Sequence, residues 1–401
     1  MFRHTNSIKN NQSSWIANNP FKAGLIISII FITVLLIVIE VVLRIITPLD
    51  NTTYNSKQRV IQLREHHPNS SEIVTPVIHV HNKEYFSDKR YTFRTDDDGF
   101  ILPHNNYIAP DATIIFIGGS TTECMYMNEE ARFPYLTEKI IETETNKKIN
   151  VLNSGRAGNN SVHSLNILIN KISYLKPNIV VLMNVINDYA TLAYYHNYWL
   201  TNYPRSQIIN IVDYYPGTKR QTTSQHLKGV FHNIFPSTYE FLHREKEITI
   251  RKFFKFNMNK DEWIDRRNYA TTRDFDSMKK DYEWSLNMFI YTCKSQGIIP
   301  VLMTQANRFK TIPDQSVLND MKLVIEAGLD YNSFKNEYDI FNETVRKVSS
   351  ENDIVLIDLE KLIPQEDKYL YDQVHFTDEG SKLAASIISE YLINLMGDTK
   401  Q

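Results

Sequence analysis

From Ala112 onward, short apolar runs alternate with amphipathic stretches, and that alternation limits the possible folds more than any other feature of the chain. Ala112–Ile117 reads as a strand and Phe133–Thr145 as a helix. Ile149–Leu152 is a short strand, Val162–Leu175 a helix and Asn178–Met183 a third strand. After a long irregular stretch the pattern resumes with a helix over Ser285–Ser295 and a strand over Ile298–Thr304. A helix over Phe334–Ser350, a strand over Ile354–Ile357 and a closing helix over Asp378–Met396 complete it. Strand runs separated by helical crossovers predict an α/β fold, a three-layer α/β/α sandwich with a central parallel sheet covered on both faces. In such sheets ligands bind beyond the carboxyl ends of the strands. The residues just after each apolar run are therefore where chemistry is expected.

Residues 24–47 impose a second constraint. No charge falls between Lys22 and Glu40, and Ile, Leu, Val and Phe dominate. An apolar run of roughly 20 residues matches the hydrocarbon thickness of a bilayer, and a helix apolar on every side suits lipid. Glu40 and Arg44 lie four apart, where they can pair on one helical face. Nothing before Pro48 has the short apolar core and small-residue cleavage site of a signal peptide. The reading is an uncleaved transmembrane anchor. Basic residues flank it almost evenly, so orientation rests on the short polar tail, 1–23, ahead of one span and the large domain behind it. This predicts a single-pass membrane protein with its large domain extracytoplasmic. Residues 48–109, rich in Asn, Ser, His and Asp, read as a stalk and extended lead-in, with a hairpin-type turn at Asp98-Gly99. Residues 110–401 form the main domain, with an inserted aromatic-rich segment over 189–280.

Composition excludes several classes. A formal net charge of −2 gives no global attraction to nucleic acid. Two cysteines, Cys124 and Cys293, supply neither a disulfide framework nor a zinc-ligand set, and they read as buried thiols. His79 and His81 would share one face of a strand, but two ligands do not complete a zinc site. No metal and no cofactor is expected.

Four segments carry the chemistry, three of them at strand ends. Gly118-Gly119-Ser120-Thr121-Thr122-Glu123 follows the first run: the glycines free the backbone for a sharp turn, leaving the Ser120 hydroxyl exposed at the start of a helical segment. Asn153-Ser154-Gly155-Arg156-Ala157-Gly158-Asn159-Asn160-Ser161 follows the second, where Gly158, or alternatively Gly155, can present a backbone N–H. Asn184-Val185-Ile186-Asn187-Asp188 follows the third, and Asn187 offers either an amide donor or a helix cap. Asp372-Gln373-Val374-His375 lies just before the closing helix. There one turn of loop can hold the carboxylate against one imidazole nitrogen while the other nitrogen faces Ser120.

Together these four segments resemble the SGNH (GDSL-type) hydrolase superfamily, over about Arg94 to Met396. The resemblance implies an SGNH/flavodoxin-like fold and a serine ester hydrolase. Ser120 matches the nucleophile, Asp372 and His375 the acid and base, and Ser120, Gly158 and Asn187 the oxyanion hole. Two positions depart from the family pattern. Gly119 stands where an aspartate usually precedes the serine, and Val185 stands where a glycine usually lies two before the asparagine. The first departure is frequent among bacterial members, and the second could narrow the pocket or shift the loop.

The substrate implied is an ester-bearing small molecule, or an acylated glycan, lipid or cell-envelope component. An O-acyltransferase using the same triad to move an acyl group to or from an envelope polysaccharide is the alternative. The segment 189–280 carries Tyr194, Tyr195, Tyr198, Trp199, Tyr203, Tyr214, Tyr215, Trp263 and Tyr269, which suit a sugar platform, a lid or an aromatic subcore. Within it, Arg244, Lys246, Arg251, Lys252 and Lys255 alternate with Ile248, Ile250, Phe253, Phe254 and Phe256, a strip suited to anionic lipid or to a solvated helix face.

Overall fold

A computed structural model describes residues 19–46, 61–76, 89–199, 208–211, 228–231, 234–235, 237–239, 242, 272–321, 325 and 328–398. The His79/His81 pair, the basic strip 244–256, Tyr203, Tyr214, Tyr215, Trp263 and Tyr269 lie outside these residues. The chain divides into two compact units, one of residues 1–53 with 215–258 and the other of residues 54–214 with 259–401.

In the first unit, α1 spans Pro20–Ile46. It begins four residues ahead of the expected span because proline suits the first helical position, where its missing N–H costs nothing. The apolar helix Pro20–Ile45 has 26 residues, about 39 Å at the usual rise, long enough to cross a bilayer of about 30 Å hydrocarbon. Leu25, Ile29, Phe31 and Val38 are exposed along it, whereas Glu40 is buried. Glu40 accepts from Arg44 Nε at 2.9 Å, Ser237 N at 3.0 Å, and Thr238 N and Oγ1 at 2.8 and 2.9 Å. These partners satisfy a carboxylate placed in an otherwise apolar helix.

In the second unit the elements are β1 (Ile61–Leu63), β2 (Ser71–Val74), β3 (Tyr91–Arg94), β4 (Ala112–Gly118), α2 (Ser120–Glu123) and α3 (Phe133–Thr145). They continue as β5 (Ile149–Gly155), α4 (Ser161–Ile167), β6 (Ile179–Met183), α5 (Ile186–Tyr195), β7 (Ile208–Ile211), α6 (Phe275–Ser295) and β8 (Ile299–Met303). The last are α7 (Gln315–Asp320), α8 (Tyr331–Glu351), β9 (Val355–Ile357), α9 (Leu359–Leu362) and α10 (Asp378–Asp398). The central sheet has 5 strands in the order β5-β4-β6-β8-β9, every neighbouring pair parallel. This is a mixed α/β fold with the expected parallel sheet and flanking helices.

Alternation along the strands builds both faces. Ile114, Phe116, Val181, Met183 and Val301 pack against Phe133 and Ile141 of α3 and Ala384, Ile388 and Leu392 of α10. Ile115, Ile117, Val180, Leu182 and Leu302 face the opposite way, against α4, α5, α6 and α8. Strands buried on both faces lack a polar side, which is why each reads as a continuous apolar run. Because β5 and β6 flank β4 on opposite sides, the connections leaving β4 and β6 diverge, and a crevice opens above their carboxyl ends.

The lead-in differs from a stalk. β2 and β3 pair antiparallel, as do β1 and β7, and Leu63, His66, Phe93, Phe100 and Ile101 are buried. Leu63 and Phe100 belong to the same apolar cluster as the sheet. The unit thus starts well before residue 110, because its polar lead-in carries a few large apolar side chains that cover the sheet edge. At the expected turn, Asp96 Oδ1 accepts from the N–H groups of Asp98 and Phe100 at 3.0 and 2.7 Å. Of the aromatic insertion, Tyr189, Tyr194, Tyr195 and Tyr198 are core residues, while Trp199 is exposed against Trp284.

Candidate active site

β4 ends at Gly118, and the chain turns at once: Thr122 N and Glu123 N donate to Gly119 O at 3.1 and 3.0 Å. Ser120 is thereby the first residue of α2. The loop ahead of α10 delivers the second component. Asp372 Oδ1 accepts from Val374 N at 3.0 Å and His375 N at 2.9 Å, a turn in which the carboxylate shapes its own loop. Its other oxygen, Oδ2, lies 2.7 Å from His375 Nδ1, and His375 Nε2 lies 2.7 Å from Ser120 Oγ. With a carboxylate on Nδ1, that nitrogen carries the proton, leaving Nε2 to accept from the hydroxyl. The Tyr371 ring stacks on the imidazole, with centroids 5.6 Å apart and planes 10° from parallel.

Electrostatics follow from these contacts. Burial works against the charge of Asp372, but the neighbouring imidazole and the two N–H groups outweigh it and hold its pKa below the usual carboxylate value. Burial likewise disfavours imidazolium at His375, yet Asp372, with a smaller contribution from Glu123, raises its pKa above 6.5. Glu123 is itself buried, with Oε1 2.8 Å from His66 Nε2. His66 Nδ1 lies 2.8 Å from Arg156 Nη1. Burial lowers the pKa of His66 more than Glu123 raises it. Arg156 can only donate, so Nδ1 accepts, and the neutral ring turns its Nε2 toward Glu123.

The two remaining strand ends converge on the same turn. Asn187, in the first turn of α5, donates from Nδ2 to Asn159 O at 3.0 Å. That amide occupies the space a side chain at Gly119 would take: a Cβ there would lie 2.4 Å from Asn187 Nδ2. Gly158 has φ +78°, a left-handed conformation that glycine adopts without strain. The Arg64 guanidinium lies over it, with Nη1 2.7 Å from Asn159 Oδ1. Gly155 plays a different part, since its N–H donates to Asn153 Oδ1 at 2.9 Å. Asp188 accepts from Ser161 N at 2.9 Å and from Tyr198 OH at 2.6 Å, and burial raises its pKa to about 7. Val185 is buried in the core cluster and does not line the cavity.

Beside Ser120 opens a cavity of about 200 Å³, walled by Cys124, Met125, Tyr126, Met127, Tyr371 and Phe376. Burial pushes the Cys124 thiol up to about 12. It stays protonated at neutral pH. Among the described residues, no group of three or more His, Cys, Asp and Glu side chains could hold a metal ion.

No protein-family model matches this chain, and no curated protein matches it. Solved structures do. LAE5, an alpha/beta hydrolase enzyme from the metagenome of Lake Arreo, Spain, is 12% identical with a TM-score of 0.39, over 74% of this chain and 100% of that one. Axe2, an acetylxylan esterase from Geobacillus stearothermophilus, is 12% identical with a TM-score of 0.39, over 72% of this chain and 96% of that one. The acetyl xylan esterase AlAXEase is 14% identical with a TM-score of 0.36, over 69% of this chain and 97% of that one. At such scores the likeness assigns no activity.

The fold thus brings Ser120, His375 and Asp372 into one chain of contacts, and Asn187 and Gly158 stand beside them through Gly119 and Asn159. Sequence reasoning missed Arg64, His66 and Gln305, each of which bonds into these loops. Gln305 lies two residues past the end of β8, and its place after that strand was the one available signal; nothing in the lead-in marked Arg64 or His66.

Proposed function

We propose that this chain is a membrane-anchored serine ester hydrolase of the SGNH type, with its sheet and covering helices forming a three-layer α/β/α sandwich. The observation carrying this reading is the array Asp372–His375–Ser120, with both contacts at 2.7 Å, at the carboxyl end of β4 beside an apolar-walled cavity. The strand order of the sheet, second-first-third-fourth-fifth, agrees with a flavodoxin-like arrangement.

Ser120 Oγ attacks the ester carbonyl as its proton passes to His375 Nε2. Asp372 holds the ring by Nδ1 and stabilises the imidazolium. The N–H groups of Ser120 and Gly158 and the amide of Asn187 receive the oxyanion. His375 then protonates the departing alcohol, and a water activated by the same nitrogen releases the acid. The cavity walls suit the acyl group, and an acylated glycan, lipid or envelope component is the proposed substrate. α1 anchors the enzyme, with the catalytic unit extracytoplasmic.

The test is fluorophosphonate labelling and p-nitrophenyl acetate turnover by the full-length chain. Both signals are expected from the wild type and neither from Ser120→Ala. A Ser120→Ala chain that still turns over the ester would overturn the assignment. Adding a glycan acceptor separates hydrolysis from acyl transfer, since only transfer gives an acceptor-dependent product. Protease digestion of intact cells or spheroplasts reports the side on which the catalytic unit lies.

A further inference from the structure

We propose that Gln305 and Thr121 are positioning residues that hold the nucleophile, oxyanion and histidine loops in one register; this rests on the esterase reading above. Gln305 follows β8 and is buried, as is Thr121, the residue after Ser120. Gln305 Oε1 accepts from Ile186 N at 2.9 Å, and Ile186 immediately precedes Asn187. The same oxygen accepts from Tyr338 OH at 3.1 Å. Gln305 Nε2 donates to Thr121 Oγ1 at 2.8 Å. The Thr121 hydroxyl in turn lies 3.3 Å from Val374 O, directly before His375. The Gln305 main chain is fixed too, its N–H donating to Asn342 Oδ1 at 3.0 Å.

The direction of this relay is set by its ends. The N–H of Ile186 can only donate, which places the amide oxygen of Gln305 toward α5 and its NH₂ toward Thr121. Thr121 receives that hydrogen bond, so its own proton goes to the carbonyl of Val374, which can only accept. One side chain and one hydroxyl thus connect residues adjacent to Asn187, Ser120 and His375. The first two loops leave the adjacent strands β4 and β6, which pair as far as Gly118 and Met183, and the third leads into α10. In a buried site each member is costly to leave unpaired, so the loops move together or not at all. Glutamate cannot replace Gln305, because it loses the Nε2 donor and brings an unpaired charge into the interior.

The test compares Thr121→Val, which keeps the shape and removes the hydroxyl, with Thr121→Ser, which keeps the hydroxyl, in the full-length chain. Gln305→Met and the Thr121→Val/Gln305→Met pair complete the set. Displacement of reacting groups by about 1 Å can cost about 100-fold. Thr121→Val and Gln305→Met are therefore each expected to lower kcat and the rate of fluorophosphonate labelling by roughly 10- to 100-fold, with KM changed by less than about threefold. Thr121→Ser stays within about threefold of wild type, and the double variant is no slower than the slower single one. Thr121→Val at wild-type rate, Thr121→Ser as slow as Thr121→Val, or additive losses would each overturn the relay while leaving the esterase reading standing. A wild-type chain that takes no label overturns both. If Gln305→Met does not fold, the Thr121 pair alone decides.

Discussion

Gly119 and Asn187 occupy one space between them: the amide Nδ2 of Asn187 stands 2.4 Å from where a Cβ on residue 119 would be. The missing side chain lets the amide reach the backbone beside Ser120 while still donating to Asn159 O at 3.0 Å. Glycine at position 119 therefore has a local steric consequence.

Gly119→Ala should push the Asn187 amide aside. Loss of one oxyanion donor typically costs about 10²–10³ in rate; if Asn187 is one, as proposed, Gly119→Ala is expected to approach the loss expected for Asn187→Ala. Combining the two should add little. Ester turnover of the three variants measures this; a Gly119→Ala enzyme at full rate would show that Asn187 does not act there.

Asp372→Asn keeps the shape of the loop but offers His375 an amide instead of a carboxylate. In a triad of this kind such a change costs roughly 10⁴-fold in kcat, because the imidazole takes the wrong tautomer. Stability should respond to pH as well. The lowered pKa of Asp372 gives a contribution present above the unfolded value of 3.8 and lost as pH falls through the lower folded value. The raised pKa of His375 gives one that is complete below 6.5 and lost as pH rises through the higher folded value. Melting temperatures of wild type and Asp372→Asn should thus differ most between the two regions.

The pH–rate profile follows from the same shift. In the proposed mechanism His375 must be neutral to accept the Ser120 proton, and Asp372 raises its pKa above the ordinary 6.5. kcat/KM should therefore climb with pH through a midpoint above 6.5. Glu123→Gln, which removes a negative charge that raises this pKa, should move the midpoint to lower pH.

Arg64→Ala removes the guanidinium lying over Gly158 and bonded to Asn159 Oδ1 at 2.7 Å. With that turn loosened, kcat is expected to fall roughly tenfold, about 1.4 kcal/mol of transition-state stabilisation. The loss should be smaller than for Asn187→Ala, since Arg64 acts through the turn.

A fragment of residues 110–401 should not fold, whereas residues 54–401 should. The shorter piece lacks Leu63, Phe93 and Phe100, all within 1% of full burial. Removing a single buried phenylalanine side chain costs about 3–5 kcal/mol, against a total stability of about 5–15 kcal/mol for a typical domain. Circular dichroism and thermal melts of the two fragments give the answer.

How far the site was legible depends on how local each signal is. Ser120 stands out because a glycine turn follows an apolar strand, and Asp372 and His375 because their spacing fits one turn of loop. The resemblance already preferred Gly158 to Gly155; that the Gly155 N–H is taken by Asn153 Oδ1 and that Gly158 has a positive φ are visible only in the folded chain. Arg64, His66 and Gln305 were hidden for a stronger reason. Their partners lie in other elements, and a polar lead-in reads as solvated until its few large side chains are seen buried.

Periodicity and residue type are properties of neighbours along the chain. By themselves they determined that short strands would pair in parallel beneath covering helices, that a hydroxyl and an amide would sit at strand ends, and that an imidazole would lie just ahead of the closing helix. Tertiary structure alone decided which groups meet. Strand order set β4 between β5 and β6, and the amide of Gln305, buried among three loops, could take only partners able to satisfy it.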